Sequence, residues 1–431
     1  MLALGTSLFA QGTVCENVKL RVNSETGVYA KGDTVRVWAD VKAVPDGPLT
    51  FKVMRWCDWD AESETSVTLE AGSTLLFERV FDESVQYVFE LTDGVNPWDF
   101  KADYAGNQFA GIVVAPEGFK VGFSEPKDLM KFWRKEIRNM RREAPAPVIT
   151  NDETKDGFRT YHVDINCVGP APVRAYVSYP EGAARKSLPI IINLHSAGKP
   201  GSPSRAQVAL DNAKIIEGGA LAMDINAHGM LDDQPQSYYD ELNEGALNLY
   251  STREPSDLDN YYFKWMMLRA VRALDYLCAN PLWDGKHVIV TGTSQGGYQS
   301  AWLAGIDKRV TAAVLTVPAG LDQGAELQGR PDSWPKTMKN FRESSLKNLP
   351  YMDPAAFIYR TKADVWCEIG LWDFTCPAAN IFAVMNTLKG EKTIVTWQRP
   401  HSIRPNDEER AVHREVVGPQ RIEFFRKAAK K

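Results

Sequence analysis

Residues 292–296 read Gly, Thr, Ser, Gln, Gly, the pattern of a serine nucleophile carried on a sharp turn from a strand into a helix. An apolar run precedes it at 287–291 and a helical stretch follows at 295–305, which is the context such an elbow requires. The flanking glycines permit tight backbone approach, Gly297 permits close helix packing, and Ser294 is thereby lifted clear of the sheet. The plainer reading, a glycine-rich turn capped by Ser294, leaves that matching context unused.

A serine hydroxyl attacks poorly until a base takes its proton, and the base needs an acid to fix its tautomer. With this elbow the chain order is Ser, then Asp or Glu, then His. Only His401 and His413 follow Ser294. His413 sits in a charged helical tail, 407–431, and reads as a solvated surface imidazole. His401 follows the strand-like run 393–398 and a turn at Pro400, so it is the expected base. For the acid, Asp373 closes the run 365–371, whereas Asp364 opens that run at the wrong end and Asp353, before Pro354, reads as a helix cap.

A tetrahedral intermediate needs preorganised donors for its oxyanion. The backbone N–H of Gln295 is one expectation. The other comes from the loop after the run 190–194, with Ala197 preferred and Ser196 beside it. His195 and His228 lie on separate loops with no visible acidic third ligand, so they read as pocket residues and not as a metal site. No metal and no cofactor is expected.

Elements that could hold these residues alternate through about 270 positions in the pattern strand, then helix: 188–195 then 205–217; 220–225 then 261–279; 287–292 then 295–305; and 310–317, 364–371 then 378–388, and 393–398. Such alternation predicts an α/β domain with a mainly parallel sheet, whose ligands sit beyond the carboxyl ends of the strands. Residues 14–115 differ. Short alternating runs at 34–41, 49–55, 74–81, 85–91 and 109–115, broken by turn residues, predict a β-sandwich of immunoglobulin-like size. Trp56, Trp59 and Trp98 there read as core tryptophans, with a sugar-stacking platform as the sharper alternative. A basic amphipathic stretch ending before Pro145 joins the two regions. The expected organisation is a signal-peptide remnant at 1–10, a sandwich at 11–123, a helical linker at 124–150 and an α/β-hydrolase catalytic domain at 151–431.

The chain has 431 residues and a formal net charge of −5, which does not suit a polyanion-binding surface, so nucleic acid is not an expected partner. No window approaches the roughly 18 uncharged apolar residues of a membrane-spanning helix. Residues 1–10 look like the tail of a secretory signal, which predicts a periplasmic or secreted protein. The six cysteines have no metal-ligand spacing and read mostly as core thiols, with a Cys367–Cys376 bridge as the alternative.

From about 189 to 401 the sequence resembles the acetyl xylan esterase and cephalosporin C deacetylase group of α/β-hydrolases. Residues 292–297 match its Gly-x-Ser-Gln-Gly-Gly elbow, residues 370–377 its Gly-Leu-x-Asp-x-x-Cys-Pro acid loop, and 261–277 the helix before the elbow strand. The resemblance implies a serine esterase that removes short acyl groups, typically acetyl, from acylated oligosaccharides or polysaccharides such as xylan, and it leaves a homo-oligomer open. Three features depart from that pattern. His195, Ser196 and Ala197 stand where the family reads His-Gly-Tyr, Asn226 and His228 replace its Arg and Gln, and compact members lack a preceding sandwich. Esters of other acyl groups or sugar acids (feruloyl, glucuronoyl), peptide bonds, and a non-catalytic carbohydrate-binding role are the competing expectations.

Overall fold

The computed structural model describes residues 17–94, 107–197, 205–402 and 407–430. The expected signal remnant, Cys15, Trp98 and Gly198 lie outside them. Two compact units emerge, and neither is one continuous stretch of chain. The first gathers the residues up to Gly118 with Gly370–Ala379 and Thr396–Arg410; the second holds Phe119–Ile369, Asn380–Val395 and Ala411–Lys431. The two short segments join the first unit because packing, and not chain order, defines it.

In the first unit, strands β1 (Val18–Val22), β2 (Val28–Tyr29), β3 (Thr34–Val41), β4 (Leu49–Arg55), β5 (Ala61–Val67), β6 (Gly72–Val80), β7 (Val85–Thr92) and β8 (Gln108–Val114) build two sheets. Their orders are β1-β3-β6 and β2-β8-β7-β4-β5. The all-β region expected from the alternating runs is therefore present. Alternation explains it: in β3 every second residue is buried, as a half-buried strand requires. Val35, Val37 and Ala39 from one sheet share a core with Phe51, Tyr87 and Phe89 from the other. Strands β7 and β8 break the rule, since every residue of both is buried.

In the second unit, β9 (Pro147–Lys155), β10 (Phe158–Ile165), β11 (Val173–Pro180), β12 (Leu188–Leu194), β13 (Leu221–Ile225), β14 (Trp283–Thr293), β15 (Ala312–Thr316), β16 (Asp364–Gly370) and β17 (Lys392–Trp397) form one sheet. Its order is β17-β16-β15-β14-β12-β13-β11-β10-β9. Strands β12 to β16 pair in parallel, while β9, β10 and β11 add an antiparallel edge. The central strands are continuous apolar runs because helices cover both faces of a parallel sheet. His195, Ser196 and Ala197 follow β12, His228 follows β13, Ser294 and Gln295 follow β14, Asp373 follows β16 and His401 follows β17.

Helix Leu129–Met140 begins the second unit as a packed element. Trp133 is fully buried, donates from Nε1 to Tyr351 O at 2.8 Å, and meets Trp302 edge-on at 4.5 Å between ring centroids. At the helix end the buried Arg272 donates to Met140 O and Glu143 O, satisfying carbonyls that a helix terminus leaves open. Trp133→Ala is expected to cost about 3–5 kcal/mol, read as a lower urea midpoint; an unchanged midpoint would mean this helix does not stabilise the unit.

Candidate active site

Ser294 lies at the end of β14 and immediately before helix Gln295–Ile306, with φ 56° and ψ −120°. A residue with a side chain is strained in that region by roughly 1–3 kcal/mol. Backbone pairing holds it there: Ser294 N–H donates to Thr316 O at 2.9 Å, and Ser294 O accepts from Tyr298 and Ala319, each at 3.0 Å. The glycines are sterically required. A Cβ on Gly296 would lie 1.9 Å from Leu194 O, and one on Gly292 2.3 Å from the Gly296 carbonyl carbon.

Gln295, fully buried, is the first residue of the helix, where backbone N–H groups have no intrahelical acceptor. Its side chain is reached by a residue that no motif signals. Tyr250 Oη lies 2.9 Å from Gln295 Oε1 and 3.1 Å from Ala197 O, so one phenol ties together the two loops expected to supply oxyanion donors. Burial, with Tyr262 nearby, pushes the Tyr250 phenol well above its ordinary pKa, which keeps it a donor. Only its size and polar tip, and no spacing in the sequence, could have pointed to it.

Asp373 and His401 are brought together in the first unit. His401 Nδ1 and Asp373 Oδ2 are 2.8 Å apart, and the carboxylate is fully buried. A carboxylate only accepts, so Nδ1 carries the proton and Nε2 is left with its lone pair. The other oxygen, Oδ1, accepts the backbone N–H groups of Thr375 and Cys376, both at 2.8 Å. The alternatives fall elsewhere. Asp353 accepts three backbone N–H groups, from Asp322, Gln323 and Ala355, and Asp364 opens β16. His413 starts the short helix His413–Val417 in the second unit.

Among the described residues one group has metal-ligand atoms close together, Asp373, Cys376 and His401, all within 4.8 Å of one another. Tetrahedral zinc holds neighbouring N and O ligands about 3.4 Å apart, given bonds of about 2.1 Å. The 2.8 Å separation of Nδ1 and Oδ2 is instead that of a shared proton. Cys367 and Cys376 are both buried, and neither forms a disulfide.

Comparison with known proteins decides the family. The model of the acetyl xylan esterase (AXE1) family matches residues 118–410. The chain belongs to the acetyl xylan esterase family. It is 30% identical over 286 residues to acetyl esterase Axe7A of Xylanibacter ruminicola, a match spanning 64% of this chain and 64% of that relative's length. Its fold is similar to that of the acetyl xylan esterase from Paenibacillus sp. R4 (TM-score 0.59, 23% identity, 72% of this chain and 98% of the other). The acetyl xylan esterase 1 of Thermoanaerobacterium sp. JW/SL YS485 is alike at TM-score 0.55, 20% identity, 72% of this chain and 98% of the other. The second unit is thus an α/β-hydrolase domain.

Within this acetyl xylan esterase family chain the departing residues have definite places. His195 Nε2 lies 3.5 Å from Asp224 Oδ2, an acidic neighbour the sequence did not reveal. His228 Nδ1 meets Tyr262 Oη at 2.5 Å, and its ring packs edge-on to Tyr250 at 4.5 Å. Ser196 and Ala197 are half-buried. No metal-ligand group among the described residues includes His195 or His228. Trp59 stacks on Phe374 at 3.6 Å between centroids, which makes it a packing residue. Tyr250→Phe is expected to lower kcat about threefold to tenfold, the worth of one hydrogen bond, with KM unchanged in steady-state ester hydrolysis. An excess of EDTA is expected to leave kcat unaltered.

Proposed function

We propose that the protein is a serine esterase that removes acetyl or other short acyl groups from acetylated xylan or related oligosaccharides. Ser294 attacks the ester carbonyl while His401 Nε2 takes its proton. Asp373 holds the imidazole in the required tautomer and stabilises the imidazolium. The negative charge on the carbonyl oxygen is met by the backbone N–H groups of Gln295 and Ala197. Collapse expels the sugar alcohol, which receives the proton from His401. Water, activated by the same imidazole, then releases the acid from the acyl-serine.

The observation that carries this reading is the positive φ of Ser294 at the mouth of helix Gln295–Ile306, in a chain of the acetyl xylan esterase family. The 2.8 Å pairing of His401 with Asp373 supports it. His195, Ser196 and His228 are the proposed pocket residues. The loop that the family fills with Tyr holds Ala197 here, which leaves more room for the acyl group.

A second reading keeps the chemistry and changes the substrate to an ester of a sugar acid. It is favoured by a cavity of about 400 Å³ beside His228, whose described lining includes Arg174, Arg253 and Arg269 and no acidic residue. One of these charges is offset by Asp164, 3.2 Å from Arg174.

Acetate release from acetylated xylan fragments tests the first reading. Ser294→Ala is expected to lower kcat by at least about 10³-fold while leaving the unfolding midpoint in place. Substantial turnover by Ser294→Ala would remove Ser294 from the nucleophile role. Hydrolysis confined to a glucuronoyl ester run in parallel would transfer the assignment to the second reading.

A further inference from the structure

The first unit contains an arrangement that an independently folded β-module would not need. In the five-stranded sheet, one face of β7 and β8 presents Tyr87, Phe89, Ala110 and Ile112 to the core shared with the other sheet. The opposite face carries Gln86, Val88 and Glu90 from β7, in register with Val113, Gly111 and Phe109 from β8. The alternation of these residues suits a wetted face, yet Gln86 is fully buried and Glu90 nearly so. Glu90 pairs with Lys52 and Asn107, whereas Gln86 and Gly111 meet the two segments that carry Asp373 and His401, Gly370–Ala379 and the residues from Thr396 to Ser402.

The covering contacts are specific. Both ends of the Gln86 amide are used: Nε2 donates to Leu371 O at 3.2 Å, and Oε1 accepts from Ala379 N–H at 2.9 Å. One side chain therefore clamps the loop on either side of Asp373. The neighbours of Asp373 are held as well, with Trp372 stacked on Phe109 at 4.8 Å and Phe374 on Trp59 at 3.6 Å between centroids. The histidine segment is tied to the same strand. Gln398 accepts from Gly111 N–H at 2.8 Å and donates to Gly111 O at 2.9 Å. Only glycine fits at 111, since a Cβ there would lie 2.1 Å from Leu371 O.

We infer that the N-terminal all-β unit is the frame that positions the acid and base of the esterase, with Gln86 and Gln398 as positioning residues. This rests on the reading of Asp373 and His401 as acid and base. An error of about 1 Å in placing such groups can cost about 100-fold in rate, and the paired amides of Gln86 and Gln398 restrain the loop movements that would produce it.

The test compares Gln86→Leu with Val37→Ala, a core truncation on the far sheet of the same unit, and with Ser294→Ala. Gln86→Leu is expected to lower kcat by about 10-fold to 100-fold with KM unchanged. Val37→Ala is expected to lower Tm yet keep wild-type kcat and KM. Wild-type kcat in Gln86→Leu, with Ser294→Ala inactive, would overturn this inference alone. An active Ser294→Ala would instead overturn the catalytic reading beneath it. If Gln86→Leu does not fold, Gln86→Glu keeps the shape: its protonated carboxyl can both donate to Leu371 O and accept from Ala379 N–H. Its kcat relative to wild type is then expected to rise as pH falls, and a pH-independent ratio at the wild-type value would overturn the inference.

Discussion

The backbone of Ser294 sits where residues bearing a side chain seldom sit, and much of the second unit is organised around keeping it there. Strain of roughly 1–3 kcal/mol persists only when the surroundings overdetermine it. Here they do. The N–H is taken by the neighbouring strand β15, and the carbonyl serves two N–H donors, one from the following helix and one from the loop after β15. Gly296 lets the helix approach the end of β12 more closely than any Cβ would allow, and Gly292 lets the turn close on Gly296. The elbow therefore fixes the spacing of β12, β14 and the helix together. The same closeness brings the Ala197 loop within reach of Tyr250, which also holds Gln295.

The Asp373 carboxylate has a different problem, that of a buried acceptor with several lone pairs. Full burial of a charge is costly unless each oxygen is satisfied. Two backbone N–H groups meet Oδ1 and the imidazole meets Oδ2. That division leaves the carboxylate no freedom to rotate without losing at least one bond. It also sets the imidazole tautomer, because an oxygen that can only accept demands the proton on Nδ1. The residues that supply these bonds all lie within the 370–379 loop or at 401, so the geometry depends on the loop being fixed as a body.

The parts of the fold legible in the sequence were those where local pattern and burial agree. The parallel strands β12 to β16 announce themselves as apolar runs, helix Tyr262–Cys278 by its length, and Ser294 by glycines whose steric role is local. The antiparallel edge was not legible. Strand β9 is exposed along its whole length, and its polar sequence, Pro147 to Lys155, carries no alternation to read. The polar β5 escaped for the same reason, and β2 because two residues are too few to show a pattern. At the site, Asp373 and His401 could be reached by chain order and strand ends. Tyr250 and Gln86 could not, because their partners lie 45 and 285 residues away in sequence and nothing in their own neighbourhoods marks them.

Gln86 shows why alternation is an incomplete guide to burial. A run reading Val, Gln, Tyr, Val, Phe, Glu, Leu, Thr describes a strand with one apolar face and one mixed face, and the ordinary fate of a mixed face is water. A polar side chain in that position is equally suited to a covered face, provided the cover brings backbone donors and acceptors in matching register. The Gly370–Ala379 loop does so, offering Leu371 O and Ala379 N–H to the two ends of one amide. The apolar residues alongside, Val88, Phe109, Trp372 and Phe374, form a single buried cluster within this unit. Withdrawing the strands would expose that apolar surface and leave the loop's polar groups without partners. The loop and the strands are therefore halves of one folded surface, and a sequence pattern that looks like a solvated sheet face is here the imprint of the segment that carries Asp373.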